Sequence, residues 1–279
     1  MDQRDAAPIL GGKGYEEQPV FTPENLLREA RRQKGLESGL VPEVCVLDPD
    51  GDIVENLRET GRAERDPYWA CYHTRLYGFE EGGVSYGIVG GVVGAPFAVL
   101  VAEELFASGC RFLISVTSAG QITAVASPPY FVLIERALRD EGTSYHYIPP
   151  SPYSEPHSEL LQMLQGAFEE EKITVSSGAV WTTDAPFRET ATEIQRHRSA
   201  GILAVEMEAA ALYAFSQATN NPVICFAHVT NQMASIEGDF EKGAENGSSD
   251  ALRVIGATAH RWLRRNEHDE ATPTEGKKR

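Results

Sequence analysis

The sequence predicts an α/β protein, a single-domain three-layer fold with a central mixed sheet flanked by helices. Three observations point there. Short runs of branched and aromatic residues recur along the chain, helical periodicity fills the intervals between them, and Gly or Pro marks most of the junctions. The apolar runs are EVCVL after Pro42, then 85–89, 111–116, 130–134, 173–180, 202–205 and 223–229. Helical patterns fall near 96–108, 157–171, 187–199, 207–219 and 249–265. Such alternation argues for layers, with a largely parallel or mixed sheet in the middle.

At 279 residues with 42% hydrophobic content, the chain can bury one substantial core, and a second full domain would be cramped. It divides into an N-terminal arm with a short helix over 1–41, one globular domain over 42–265, and a charged, proline-containing tail over 266–279 that is expected to be disordered. The net charge of −16 argues against a nucleic-acid or membrane partner, because phosphate backbones and anionic lipids would be repelled. Small neutral ligands are unaffected. Cys45, Cys71, Cys110 and Cys225 stand far apart without a C-x-x-C pair, the first residues carry no apolar leader, and no apolar run approaches a membrane span. A cytoplasmic protein with free thiols is expected. Seven scattered histidines without ligand spacing predict no metal.

Residues 1–22, rich in Gly and Pro, read as an arm or disordered lead. Thr22 as N-cap, Pro23 in the first turn and Gly35 at the end bound a short helix. The first strand of the domain follows, then the turn DPDGD (48–52) and a helix from IVENL. Asp52 at that helix start is either a cap or a functional acid. GGVVGAP (90–96) makes a tight turn into the helix that Gly109 ends. TSAGQI (117–122), with Ser118 and Gly120, reads as the loop that ends the next strand.

The stretch with the most chemistry is AVEMEAAALYAF (204–215). A buried strand end meets a small-residue helix there, and Glu206 and Glu208 stand at the junction, where α/β folds place ligand chemistry. As isolated residues they read as a helix cap and a solvated acid. The string VEMEAAALYA, together with GAVWTTDAPFRET (178–190), RDEGTSYHYIPP (139–150), GGVVGAP and SVTSAG, resembles the nucleoside phosphorylase and nucleosidase family. The resemblance covers roughly 42–264. It implies a nucleoside phosphorylase-like catalytic domain that cleaves N-glycosidic bonds, needs no cofactor beyond phosphate as co-substrate, and forms a homo-oligomer, either a dimer or a hexamer built from dimers.

By that resemblance Glu208 accepts hydrogen bonds from the ribose hydroxyls, Glu206 lies beside it, and Met207 packs under the sugar, while Ser118 and Gly120 align with the nucleophile-side loop, whose hydroxyl and backbone N–H groups would hold phosphate or a water. Carboxylates there would stabilise the positive charge that builds on the sugar as the bond breaks. Phe187 and Arg188 are the candidates to wall and address the base. Asn231, in TNQM, stands where many members carry an acid. It can hydrogen-bond an oxo-substituted base but cannot protonate an aminopurine, so uridine or 6-oxopurine nucleosides are the expected substrates. His228 reads as a packing histidine.

The nucleophile side departs from the phosphorylase pattern. Where the family's phosphorylases usually carry a Gly-Asp-Pro-x-Arg turn, this chain has Leu47, Asp48, Pro49, Asp50 and Gly51, and Ser115 stands where a second phosphate arginine is common. Arg62, Arg65 or Arg75 would have to compensate if phosphate binds. Phosphorolysis is the primary expectation. Hydrolysis is the runner-up, with Asp52 favoured among Asp48, Asp50 and Asp52 to orient water, and a nucleoside-binding relative without turnover is the alternative of another class.

Overall fold

A computed structural model describes residues 7–169, 171, 173–233 and 237–271. Helix α1 (Pro23–Lys34) has the boundaries its sequence signals: the Thr22 hydroxyl accepts from Asn25 N at 3.3 Å, and Gly35 closes it at φ 63°. Then follow β1 (Val44–Asp48), α2 (Asp52–Glu59), β2 (Ala63–Arg65), β3 (Leu76–Glu81), β4 (Val84–Gly90) and α3 (Ala95–Ala107). The second half comprises β5 (Phe112–Gln121), β6 (Tyr130–Asp140), β7 (Tyr153–Ser154), α4 (Ser158–Met163), β8 (Val175–Thr183), α5 (Ala191–Ser199), β9 (Ala204–Glu206), α6 (Ala209–Thr219), β10 (Val223–Asn231) and α7 (Ser248–Ala271).

One mixed sheet runs in the order β10-β6-β8-β9-β5-β1-β4-β3-β2, with β7 beside β6. Strand β10 also pairs with β5, so β5, β10, β6, β8 and β9 close into a ring from which the remaining strands extend. The β1–β4, β1–β5, β5–β10, β6–β8 and β8–β9 pairings are parallel, while β9 meets β5 antiparallel. One face is covered by α3 and α6, whose Val99, Leu105, Leu212 and Phe215 pack with Val132 and Val229. The opposite face is covered by α2, α4 and α7, whose Leu57, Leu160, Ile255 and Trp262 join Val46, Ile88 and Phe226. These are the three layers that the alternating pattern predicts.

Several boundaries differ from the sequence reading. TSAGQ is strand rather than loop, because β10 on one side and β9 on the other satisfy its backbone groups through Gln121. Helix α4 stops at Met163 rather than near 171. Helix α5 starts at Ala191, where Thr190 and Glu193 form a capping box, and Pro186–Arg188 make a separate 3-10 turn. Helix α7 continues past 265 to Ala271, and 272–279 lie outside the described residues. The described part of the arm is docked: Tyr15 donates to Tyr145 O at 3.2 Å, and Lys13 Nζ lies 2.9 Å from His146 Nδ1. No helix among the described residues is long and apolar enough to cross a membrane.

Candidate active site

The β9–α6 junction places both glutamates, but in unlike settings. Glu206, the last residue of β9, accepts from Glu208 N at 2.8 Å, from Ala209 N at 2.7 Å and from the Thr182 hydroxyl of β8. It therefore satisfies N–H groups at the start of α6 that have no partner within the helix, a capping role played from two residues upstream. Glu208 occupies the N-cap position itself and is buried, with Oε1 accepting from Gly94 N at 2.6 Å and Oε2 from Met207 N at 3.3 Å. Gly94 has φ 94° and lies just ahead of α3, so the GGVVGAP turn contributes an oriented N–H to the carboxylate. Met207, half-buried, sits between them.

Burial raises both carboxyls well above the usual carboxylate range. For Glu208 the neighbouring Glu206 charge adds to the rise, while the Gly94 N–H and the Thr117 hydroxyl oppose it. Two acids this close in a dry setting resist carrying two charges. A ligand that donates hydrogen bonds to Glu208 would favour its ionised form.

Across β5 from the acidic pair, Asn231 closes β10 opposite Gly120. Its Oδ1 accepts from Met233 N at 2.9 Å and its Nδ2 donates to Thr230 Oγ1 at 3.2 Å. Gly120 is tight: a Cβ there would stand 2.6 Å from Met233 Sδ, 3.3 Å from Val205 Cγ1 and 3.4 Å from Asn231 Oδ1. The register thus brings Gly120, Val205 and Asn231 together beside the acidic pair. Phe187 and Arg188 are not drawn in. Phe187 is 99% exposed and Arg188 is exposed too, both on the 3-10 turn after β8, while Asp184 accepts instead from Gly142 N at 2.8 Å.

The turn after β1 forms the third side. Asp48 is buried and accepts from Gly51 N at 3.2 Å and Val54 N at 2.9 Å, so Asp48 rather than Asp52 caps α2. Burial pushes its carboxyl up to about 7. Asp50 reaches across to β5, where Ser118 N donates to Oδ2 at 2.7 Å and Ser118 Oγ donates to Oδ1 at 2.8 Å. Asp52, expected to face water, is ion-paired with Lys242, whose ammonium lies 3.9 Å from Asp50 Oδ1. Arg62 pairs with Glu81 on β3, and Arg65 and Arg75 are exposed. The cation at this turn is Lys242, which the sequence reading missed. Its polar stretch DFEKG carries no periodic signal, and 190 residues separate it from Asp52. His228 packs as expected, stacked on Phe131 at 4.4 Å, and burial holds its imidazole down to about 4.

Asp48, Asp50, Asp52, Ser118, His228 and Lys242 border a cavity of about 20 Å³. Asp50 is near enough to Glu208 to raise its pKa, so this corner and the acidic pair belong to one electrostatic site.

The sequence profile described as the Phosphorylase superfamily matches residues 43–259. The guanosine phosphorylase of Halorubrum lacusprofundi is 28% identical over 125 residues, which is 45% of this chain and 52% of that one, so the match spans about half of that relative. Among solved structures, uridine phosphorylase from Vibrio fischeri, complexed with 6-hydroxy-1-naphthoic acid, superposes with a TM-score of 0.66 at 23% identity, covering 81% of this chain and 92% of the other. Purine nucleoside phosphorylase from Toxoplasma gondii, in complex with immucillin-H, gives 0.67 at 17% identity, covering 81% and 93%. At those identities the superpositions establish the fold.

Proposed function

Because the chain belongs to the phosphorylase superfamily, we propose that it cleaves the N-glycosidic bond of an oxo-base nucleoside, of the uridine or 6-oxopurine type, by phosphorolysis. The observation that carries this reading is Glu208: a buried carboxylate held by Gly94 N and Met207 N, at a strand-to-helix junction. Ribose hydroxyls donating to it would return the hydration it lost on burial. As the C1′–N bond lengthens and the sugar becomes cationic, the ionised carboxylate is worth more than in the ground state, which is the condition for catalysis. Glu206 acts through Glu208, by fixing the start of α6 and by its charge.

Asn231 supports the base preference. Its Oδ1 accepts from Met233 N and its Nδ2 gives one hydrogen to Thr230 Oγ1, which leaves one N–H to address an oxo group, and an amide has no proton to give an aminopurine leaving group. Base release is measured for uridine, inosine, guanosine and adenosine, with and without phosphate. An oxo-base nucleoside cleaved only with phosphate is expected; adenosine as clearly the best substrate would overturn the base preference.

One observation favours hydrolysis as a second reading. Asp50 occupies both Ser118 donors, and the adjoining cavity of about 20 Å³ has room for roughly one water. Release that proceeds equally without phosphate selects that reading, with Asp50, rather than Asp52, placed to orient the water.

A further inference from the structure

We propose that Lys242 is the anion-binding residue of the nucleophile side, and that Asp50 is a stand-in for the phosphate it receives. The inference rests on the phosphorolytic reading and deepens it.

Ser118 presents two donors, its backbone N–H and its hydroxyl, to the two oxygens of one carboxylate. Paired donors of this kind serve any oxyanion with two oxygens on a common atom. The Asp50 oxygen that takes the hydroxyl is also the one 3.9 Å from Lys242 Nζ. An anion replacing Asp50 on Ser118 therefore falls within reach of the ammonium. Asp50 lies in the β1–α2 turn with its side chain 29% exposed, so the carboxylate has an open side toward which it would turn when an anion takes the seat.

The chain commits structure to holding Lys242 there. Glu241 N donates to Thr230 O at 3.0 Å, which fastens the segment to β10 directly before Asn231. Gly247, at φ 78°, lets the segment fold over His228: a Cβ on it would lie 2.2 Å from His228 Cε1 and 2.6 Å from Lys242 O. Asp52 holds the ammonium from the α2 side. The pair is only 18% and 23% exposed at its side chains, so screening by water and salt is reduced. With Asp48 protonated over part of the neutral range, the corner is less anionic than three aspartates suggest.

The test is direct binding of inorganic phosphate, by titration calorimetry, to the full chain and to Lys242→Met, Lys242→Arg and Asp50→Asn. Losing a hydrogen bond to a charged group predicts weakening by about 30-fold in Lys242→Met, or ~2 kcal/mol. Lys242→Arg should stay within about 5-fold of the parent, because the charge is kept. Asp50→Asn should bind several-fold more tightly, since the competing carboxylate charge is gone. Unchanged binding in a folded Lys242→Met, or no phosphate binding by the parent chain, overturns the proposal. Base release is scored separately. A parent that binds phosphate through Lys242 but cleaves no nucleoside defeats the proposed function while leaving this assignment in place.

Discussion

The two glutamates at the β9–α6 junction differ by only two positions, yet the structure gives them different work. Glu206 spends its oxygens on Thr182 and on two backbone N–H groups, whereas Glu208 is held at Gly94 and faces the electrostatic field of Asp50. Glu208→Gln should therefore keep the fold and lower kcat/KM by roughly 100-fold or more, about 3 kcal/mol, the scale of a lost charged transition-state contact. Near-normal turnover by a folded variant would remove Glu208 from the mechanism. The raised carboxyl also sets a pH dependence. If the ionised form is the active one, kcat/KM should keep climbing through the neutral range instead of levelling off near the ordinary carboxylate pKa of about 4.3. A profile already flat by pH ~5.5 would show that the proton on this pair has no bearing on the reaction.

At the scale of elements, strand ends and helix starts are joined by carboxylates drawn from outside the helix. Asp48 caps α2 from the end of β1, as Glu206 caps α6 from the end of β9, and each is desolvated as a result. The consequence is a stability cost that grows with pH. Asp48 is about 7 when folded and about 3.9 when unfolded, so between those values the folded state binds the extra proton. Its contribution is fully present below the unfolded value and is lost as pH rises through about 7. In Asp48→Asn that titration is absent. Urea midpoints measured near pH ~5 and pH ~8 should fall less with rising pH in Asp48→Asn than in the parent. Equal slopes would mean that Asp48 ionises normally in the fold.

For the whole molecule, the ring of β5, β10, β6, β8 and β9 is what turns separate segments into one site. Acids from the β9–α6 junction, an amide from β10, a serine from β5 and an aspartate from the β1 turn meet because those strands pair with one another. The ring is covered by helices on both faces, while β2 is a three-residue edge strand with exposed residues. Hydrogen exchange should follow this division: β5 and β10 amides exchange only on global opening, and β2 amides exchange well before it. Comparable protection in β2 and β5 would contradict a ring-centred core.

The alternation of apolar runs with helical patterns was enough to determine the layered α/β architecture, because burial periodicity is a local property of the chain. The motif around 204–215 likewise marked Glu206, Met207 and Glu208 and placed them at a strand-to-helix junction. The limits of TSAGQ were not legible, since a polar strand is strand only when partners on both sides satisfy its backbone. Nor was the division of labour between the two glutamates, which depends on Gly94 and Thr182, residues that come from other parts of the chain. Phe187 and Arg188 carry the residue types that suit a base pocket, yet the turn after β8 leaves both exposed. Lys242 illustrates the reverse. Nothing in DFEKG distinguishes it from a solvated surface run, and only the folding of that segment over His228, against the turn of β1, makes it the cation beside Asp50 and Asp52. Charge pairing across 190 residues is a property of the tertiary structure, because it is set by distance in space and not by neighbours in sequence.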